Sequence, residues 1–225
     1  MQNHEADIVN TNKGTKGTNE TYDKNQGNRG KQMNPMGKDV FKDDRDGKVY
    51  NTITLDDMVI MAEDLKYESP GSIEGKYGRY YDWDSAQESC PTGWHLPTER
   101  EWSILADYAQ SCRKLKSKTD WPSCNGTDDL GFSAYPNGYV INFKEYNCKI
   151  IQGVGTPCKE NSDCMVHQIG ECAGWWGGEM TASGPRCRSI WDDVGDRPFI
   201  GGTMMFQGVL KSIRCVKDYQ ETAPV

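Results

Sequence analysis

Nine cysteines and three histidines are the residues of this 225-residue chain whose types could support catalysis, metal binding or cross-linking. Cytosolic proteins seldom carry this many cysteines without metal sites, whereas exported proteins use them as disulfides. We therefore predict an exported, disulfide-linked protein in which Cys112 and Cys124, on either side of Trp121-Pro122, are bridged residues. The odd number of cysteines leaves one thiol free or bonded to another chain.

A zinc site is the alternative use of the cysteines near the middle of the chain. Cys158, Cys164, His167 and Cys172 have the residue types that bind zinc. Their spacing matches no standard zinc knuckle, and in an oxidising compartment the same cysteines would pair with one another. We therefore rank disulfides ahead of zinc and predict no metal site.

The histidines give little support for catalysis. His4 lies in a polar N-terminal segment, and His95 lies between Trp94 and Leu96, a setting that favours a packed histidine donating to a backbone carbonyl. The sequence contains no nucleophile elbow and no phosphate-binding glycine loop. We therefore predict no catalytic residues and a protein that is not an enzyme.

Aromatic and acidic residues are the better candidates for a binding role. Trp175 and Trp176 are adjacent, and on a strand adjacent side chains face opposite sides of the sheet, so we expect one in the core and the other exposed. An exposed tryptophan can stack on a sugar ring or anchor a protein partner. The predicted ligand-binding residues are Trp175, Trp176, Trp191, Asp192 and Asp193.

Calcium is the alternative use of the acidic residues. Trp191-Asp192-Asp193 is similar to the Trp-Asn-Asp strand of calcium-dependent lectins, but the Glu-Pro-Asn or Gln-Pro-Asp loop that accompanies that strand is missing. Calcium also requires about six to eight oxygen ligands. The segment 43–47 resembles a shortened calcium loop, but it fits a hairpin turn better. We expect no cofactor, with calcium as the minority alternative.

Two short helices are predicted around residue 90. Asp84 is expected to cap the first helix, which ends at Cys90-Pro91 because proline cannot continue the hydrogen-bond ladder. Thr98 and Glu101 have the spacing of a capping box, which starts a second helix ending near Gln110. The predicted helices therefore meet at a cysteine.

Strands are predicted before these helices. Val40-Phe41 and residues 49–55 flank an Asp46-Gly47 turn, and residues 58–61 follow a second turn at Asp56-Asp57. Turn residues between apolar runs are typical of antiparallel hairpins. We expect a small antiparallel sheet.

Loops and a second sheet are predicted after the helices. Residues 111–170 are rich in Gly, Asn and Cys, and we expect long loops there with short strands such as 139–143. Four later segments are expected to form a second sheet. They are 175–176, 189–191, 204–206 and 209–216.

The first 37 residues differ in composition from the rest of the chain. They are rich in Asn, Gly, Lys and Thr and hold few apolar residues, such as Ile8, Val9 and Tyr22. So little apolar surface cannot offset the entropy lost on ordering. We predict that residues 1–37 form a disordered polar tether.

The charge and hydropathy patterns exclude two classes of partner. The net charge is −7, from 33 acidic and 26 basic residues, so nucleic acid is not an expected partner. No apolar run approaches the length of a membrane span, so we expect no transmembrane segment. Residues 1–4 open directly onto polar sequence, so we expect no signal peptide within these residues.

Four motifs resemble one known family. They are CPTGWHLPTEREW at 90–102, SIRCVKD at 212–218, DRDGKVY at 44–50 and GWW at 174–176. Together they resemble the Fibrobacter succinogenes major paralogous domain, a bacterial surface-protein family related to the C-type-lectin and formylglycine-generating-enzyme folds. The segment 61–65 is similar to the family's WMAENL, with Ile60 at the tryptophan position. The resemblance covers residues 38–219, which we take as one domain followed by a C-terminal tail at 220–225.

The resemblance implies an α+β, C-type-lectin-like fold with two short helices, small antiparallel sheets and long disulfide-stapled loops. Related lectin-like folds have a long-range bridge between the first helix and the last strand, which implies a Cys90–Cys215 disulfide here. Closing a loop of about 125 residues would remove almost 5 kcal/mol of unfolded-state freedom in the chain-entropy model, less any native strain.

The resemblance also implies a cell-envelope setting, whereas the expected function rests on the long loops and the aromatic and acidic residues. We expect a protein that is secreted or lies at the outer-membrane surface of a bacterium, and a lipid anchor upstream of the tether would fit this location. The expected function is that of an adhesin-like binding module for a polysaccharide or an envelope protein, met through residues 111–170 and 177–208. The alternatives are a formylglycine-generating-enzyme-like copper oxygenase, which needs a free cysteine pair, and a ligand-binding protein with diversified loops.

Overall fold

The structure is a computed structural model that describes residues 39–123, 125–142, 164–167, 170–192, 200–203 and 208–218. The predicted tether at 1–37 and the tail at 220–225 lie outside the described residues, so those two assignments stay predictions. Within the described residues the fold is α+β, with two α-helices, small antiparallel sheets and one disulfide.

The first helix, α1 (Trp83–Ser89), lies where the sequence predicts it, but its N-cap is Asp82 rather than Asp84. An Asp82 carboxylate oxygen accepts a hydrogen bond from the backbone N–H of Ser85 at 2.8 Å. Asp84 instead lies in the first turn, where its charge favours the positive end of the helix dipole. The helix ends at Cys90, as predicted.

The second helix, α2 (Glu99–Ala109), confirms the predicted capping box. The Thr98 hydroxyl accepts from the backbone N–H of Glu101 at 3.3 Å, and the Glu101 carboxylate accepts from the backbone N–H of Thr98 at 2.8 Å. Gln110 closes the helix in the left-handed conformation, with φ of 57°. The buried face of α2 consists of Trp102, Leu105 and Ala109.

Thirteen strands are present within the described residues. They are β1 (Asp39–Lys42), β2 (Val49–Leu55), β3 (Met58–Met61), β4 (Ile73–Glu74), β5 (Arg79–Tyr80), β6 (Trp94–His95), β7 (Tyr139–Asn142), β8 (Cys164–His167), β9 (Cys172–Thr181), β10 (Gly184–Trp191), β11 (Ile200–Thr203), β12 (Val209–Leu210) and β13 (Val216–Lys217).

The predicted N-terminal hairpin sheet is confirmed and is extended by two more strands. Its order is β1-β2-β3-β13-β6. The C-terminal strand β13 lies between β3 and β6, with Val216 opposite Ile60 on one side and opposite His95 on the other. This pairing brings the SIRCVKD and CPTGWH motifs side by side.

The later strands form separate sheets, and one part of the prediction is wrong. Strands β9, β10 and β11 make a three-stranded sheet, and β12, β7 and β8 make another. The segment 209–216, predicted as one strand, is divided: β12 joins the second of these sheets, and Lys211 and Ser212 make isolated bridges to Tyr81 and Trp175. The predicted strand 204–206 lies outside the described residues.

The core consists of two main clusters of buried side chains. Helix α2 packs its buried face on the larger cluster, together with β2, β3, β9 and β10. Helix α1 contributes Ala86 to the second cluster, which also holds Trp94, Trp176 and Cys215. The tryptophan side chains are large and bury much apolar surface, so they contribute heavily to the stability of both clusters.

Candidate binding surface

The long-range disulfide implied by the resemblance is present. Cys90, at the end of α1, is bonded to Cys215, which precedes β13, and the two Cα atoms are 5.9 Å apart. The bond closes a loop with a sequence separation of 125 residues. Because the constraint acts on the unfolded chain, a loop of this length stabilises the folded state by at most about 5 kcal/mol.

The SIRCVKD and GWW motifs meet in a buried polar network centred on Asp64. Arg214 Nε and Trp175 Nε1 donate to one Asp64 carboxylate oxygen at 2.7 and 2.8 Å, and Asn137 Nδ2 donates to the other at 2.6 Å. Asp64 is 2% exposed and Arg214 is fully buried. A buried ion pair is stable only when its remaining polar atoms are also bonded, and this network meets that condition for Asp64.

The same network fixes the loop segment 132–137. The two terminal nitrogens of Arg214 donate to the backbone carbonyls of Phe132 and Ser133, the second at 3.0 Å. At the other end of the segment, the Tyr80 hydroxyl donates to the backbone carbonyl of Asn137. Both ends of the segment are therefore held by residues of the core.

Tyr135 lies between these two anchors and stacks on Tyr77, which lies in the turn between β4 and β5. The ring centroids are 4.8 Å apart and the planes differ by 13°. Both tyrosines are partly exposed. Lys76 Nζ donates to the Tyr77 hydroxyl and to the Asp120 carboxylate, each at 2.8 Å. We call Lys76, Tyr77, Asp120 and Tyr135 the tyrosine surface.

Asp120 is held in an unusual backbone conformation at this surface. Its φ is 74°, in the left-handed region that non-glycine residues seldom occupy. The Thr119 hydroxyl donates to its carboxylate at 2.8 Å. Hydrogen bonds from Lys76 and then Thr119 lower the pKa of Asp120, and the bond to Asp120 raises the pKa of Lys76. The two charges of this pair therefore persist together and cancel.

The prediction that one of the paired tryptophans is exposed is wrong. Trp175 and Trp176 are 0% and 1% exposed. They do face opposite sides of β9: Trp175 donates to Asp64, and Trp176 Nε1 donates to the backbone carbonyl of Tyr81 at 2.7 Å. The alternation of the two side chains across the strand was therefore predicted correctly, but buried core residues cover both faces of β9. Neither ring is open to a ligand in this structure.

Asp192, the residue that follows β10, has a structural use in the folded protein. An Asp192 carboxylate oxygen accepts from the backbone N–H of Ser123 at 2.8 Å, and Lys116 Nζ donates to the Asp192 backbone carbonyl at 2.9 Å. Asp192 thus holds the loop 116–123 against the end of β10. Trp191 is partly exposed, and Asp193 lies outside the described residues.

The hairpin turn predicted at residues 43–47 is present. The Asp43 carboxylate accepts two side-chain bonds from Arg45, at 2.9 and 2.8 Å, and the Asp46 carboxylate accepts from Lys48 Nζ at 2.9 Å. These carboxylates are therefore engaged by neighbouring cations. No group of three or more His, Cys, Asp or Glu with metal-binding geometry occurs among the described residues.

His95 lies between two carboxylates and does not donate to a backbone carbonyl, which corrects the prediction for this residue. Its Nδ1 is 2.6 Å from an Asp218 carboxylate oxygen, and its Nε2 is 3.0 and 3.1 Å from the Glu101 carboxylate oxygens. The hydrogen bond with Glu101, followed by that with Asp218, raises the pKa of His95 to about 9 despite partial burial. The imidazolium therefore joins β6, α2 and the residue after β13.

The cysteines outside the Cys90–Cys215 bond give a second correction. Cys112 is a buried thiol in the larger core, so the disulfide predicted for it does not form in this structure, and Cys124 lies outside the described residues. Burial raises the pKa of Cys112 and of Cys172 to about 11 and also raises that of Cys187. Buried thiols with raised pKa values are mostly protonated at neutral pH.

The fold and the surface define a disulfide-linked α+β domain whose motif residues build the core and position a partly exposed pair of tyrosines. The family model described as the Fibrobacter succinogenes major domain matches residues 9–217, and the chain belongs to that family. The match confirms the resemblance and begins within the segment predicted as a tether. No curated protein and no solved structure matches the chain. No helix within the described ranges is long and apolar enough to span a membrane.

The tyrosine surface was missed in the sequence. Tyr77 and Tyr135 lie in segments without helix or strand periodicity, and they are far apart in the sequence. The available signal was the position of Tyr135 in the long loop region, where functional residues are common.

Proposed function

We propose that the chain is an adhesin-like binding module, secreted or held at the bacterial cell surface, with a C-type-lectin-like arrangement. Its recognition site is the tyrosine surface, and its partner is a polysaccharide or an envelope protein. The observation that carries this proposal is the position of the partly exposed Tyr135 within segment 132–137, between anchors supplied by Arg214 and Tyr80.

The anchoring favours recognition because it lowers the entropy cost of binding. A loop that is ordered before the partner arrives loses little freedom on association, whereas each newly immobilised side chain costs about 0.5–1.5 kcal/mol. Stacking restrains both tyrosine rings, and Lys76 restrains the Tyr77 hydroxyl and Asp120. A preorganised aromatic and polar surface of this kind suits a binding site.

The disulfide supports the proposed location. Persistent structural disulfides form in oxidising compartments, such as the periplasm and the cell exterior. The net charge of −7 also suits a protein that does not bind nucleic acid. We propose a secreted protein or a lipoprotein, with binding that involves no turnover. Copper-dependent oxidation of a cysteine-containing peptide would contradict the absence of turnover.

Retention on bacterial cell-envelope material tests the proposal. Purified wild-type protein should sediment with an insoluble envelope fraction, and Tyr135→Ala and Tyr77→Ala should reduce the bound fraction several-fold because they remove the stacked pair.

The matched control for these variants is Tyr108→Ala. Tyr108 is a partly buried tyrosine on α2 whose hydroxyl bonds to Asp56, and its loss should leave retention unchanged. Equal retention of wild type and both tyrosine-surface variants would show that recognition occurs elsewhere.

A further inference from the structure

We infer, on the basis of the proposed function, that the tyrosine surface binds neutral sugar rings of a polysaccharide. The ring C–H groups would pack against the Tyr77–Tyr135 pair, and the sugar hydroxyls would bond to Asp120, Lys76 and the tyrosine hydroxyls. Three features of the surface support this ligand class: its aromatic pair, its polar edge and its charge balance.

The aromatic pair provides the apolar part of the site. The two rings are nearly parallel, and each is partly exposed after stacking on the other. An aromatic face has a negative quadrupole that attracts weakly positive C–H groups. Because stacking already restrains both rings, packing a sugar against them immobilises little additional side chain.

The polar edge provides donors and acceptors beside the rings. A sugar hydroxyl both donates and accepts, and here the Asp120 carboxylate accepts while Lys76 Nζ donates. The side chains of Lys76 and Asp120 are 60% and 31% exposed, so both retain open bonding positions. The left-handed backbone of Asp120 holds its carboxylate in place, and such outliers often mark functional positions.

The charge balance favours a neutral polymer. Lys76 and Asp120 form a closed ion pair at 2.8 Å, so the surface presents no net charge to a ligand. The whole chain carries a net charge of −7, which repels acidic polysaccharides at long range. Binding to a neutral sugar should therefore change little with salt concentration, since there is no long-range attraction to screen.

The apolar side chains argue against a protein partner at this surface. Protein interfaces centre on a desolvated apolar and aromatic core. The large hydrophobic residues that are exposed in the described part of the chain are Val40, Val49 and Met180. They belong to β1, β2 and β9 and not to the two loops that carry the tyrosines.

Affinity gel electrophoresis tests the ligand class directly. Wild-type protein is run in native gels containing dextran, galactomannan or mixed-linkage β-glucan, and in gels containing polygalacturonate as an acidic polymer. We expect retardation by at least one neutral polymer, with little change between 50 and about 500 mM salt, and none by polygalacturonate.

Variants assign the binding to the tyrosine surface. Tyr135→Ala should weaken the apparent affinity about tenfold, and Asp120→Asn several-fold, because asparagine keeps the left-handed backbone but loses the charge. Tyr135→Phe retains the stack and should keep most of the affinity, and Tyr108→Ala should match wild type. Circular dichroism and the intact Cys90–Cys215 bond establish that each variant is folded.

The outcomes separate this inference from the proposed function. The protein could be retained on envelope material in a Tyr135-dependent way and yet not be retarded by any neutral polymer. This result would overturn the sugar inference, but the tyrosine surface would still be supported as the recognition site. Retardation that Tyr135→Ala leaves unchanged would overturn the assignment to the tyrosine surface. Retardation by polygalacturonate alone, lost at high salt, would overturn the inference of a neutral sugar ligand, because the ligand would then be acidic.

Discussion

The buried network and the tyrosine surface each contain an ion pair of almost the same length in opposite surroundings. Arg214 and Asp64 are 2.7 Å apart, and each side chain is 1% exposed. Lys76 and Asp120 are 2.8 Å apart, with side chains 60% and 31% exposed. An ion that loses its partner in the core cannot recover its hydration, whereas an exposed ion can. The first pair therefore maintains the fold, and the second is available to a ligand.

Breaking the buried pair should give the largest effect. Arg214→Met keeps much of the side-chain volume but leaves Asp64 charged and unpaired, so we expect a loss of about 3–5 kcal/mol in the free energy of unfolding. Urea denaturation, monitored by tryptophan fluorescence, measures this change in the free energy of unfolding.

A double variant serves as the control for this prediction. Asp64→Asn combined with Arg214→Met removes both charges and should recover part of the loss, because no uncompensated charge stays buried. A loss below about 1 kcal/mol for Arg214→Met alone would contradict the assignment of the network to fold stability.

Removing the disulfide tests the other support of the same core. Cys90→Ala combined with Cys215→Ala should lower the free energy of unfolding by about 3 kcal/mol, since the unfolded chain regains the freedom of a long loop. Wild-type protein in reductant should lose a similar amount, and the double variant should not respond to reductant. A reductant effect that persists in the double variant would mean that another bond contributes.

The elements that the sequence predicts correctly depend on local chemistry. The capping box of Thr98 and Glu101 needs only residues three apart, and the hairpin at Asp46-Gly47 needs only its turn. The pairing of Cys90 with Cys215 is not local, and the resemblance to a family supplied it. The prediction of Asp84 as the cap is wrong because two aspartates lie two positions apart, and either residue type favours an N-cap.

The errors at the candidate site have a different cause. Period-two alternation places Trp175 and Trp176 on opposite faces of β9, but it does not show that both faces are covered. Likewise, the stack of Tyr77 on Tyr135 depends on segment 132–137 being held by Arg214 from the far end of the chain. Such contacts follow from packing and leave no periodic signal in the sequence.

His95 gives an intermediate case, because its ring is bonded to two carboxylates but is partly exposed. Its pKa is raised to about 9 from an ordinary value of 6.5, so its contribution to stability is fully present below pH 6.5 and is lost as the pH rises through 9. Solvent screening at a side chain that is 37% exposed limits the contribution to about 1 kcal/mol.

The measurement for His95 is the difference in unfolding free energy between wild type and His95→Gln at pH 6 and at pH 9.5. The difference should be larger at pH 6, and other groups that titrate in this range cancel in the comparison. A difference that grows with pH would contradict the proposed contacts with Glu101 and Asp218.

The smallest expected effect on stability is at the exposed pair. Lys76→Met should leave the urea midpoint and the free energy of unfolding unchanged within error, because the Asp120 carboxylate regains water when its partner is lost. Asp120→Asn should behave in the same way, since asparagine also accepts a left-handed backbone. Asp120→Ala is the informative contrast: alanine is strained at a φ of 74°, so a destabilisation found for alanine alone would come from the backbone and not from the ion pair. If Lys76→Met instead destabilised the protein as much as Arg214→Met, the exposed pair would be part of the scaffold, and the distinction between the two pairs would fail.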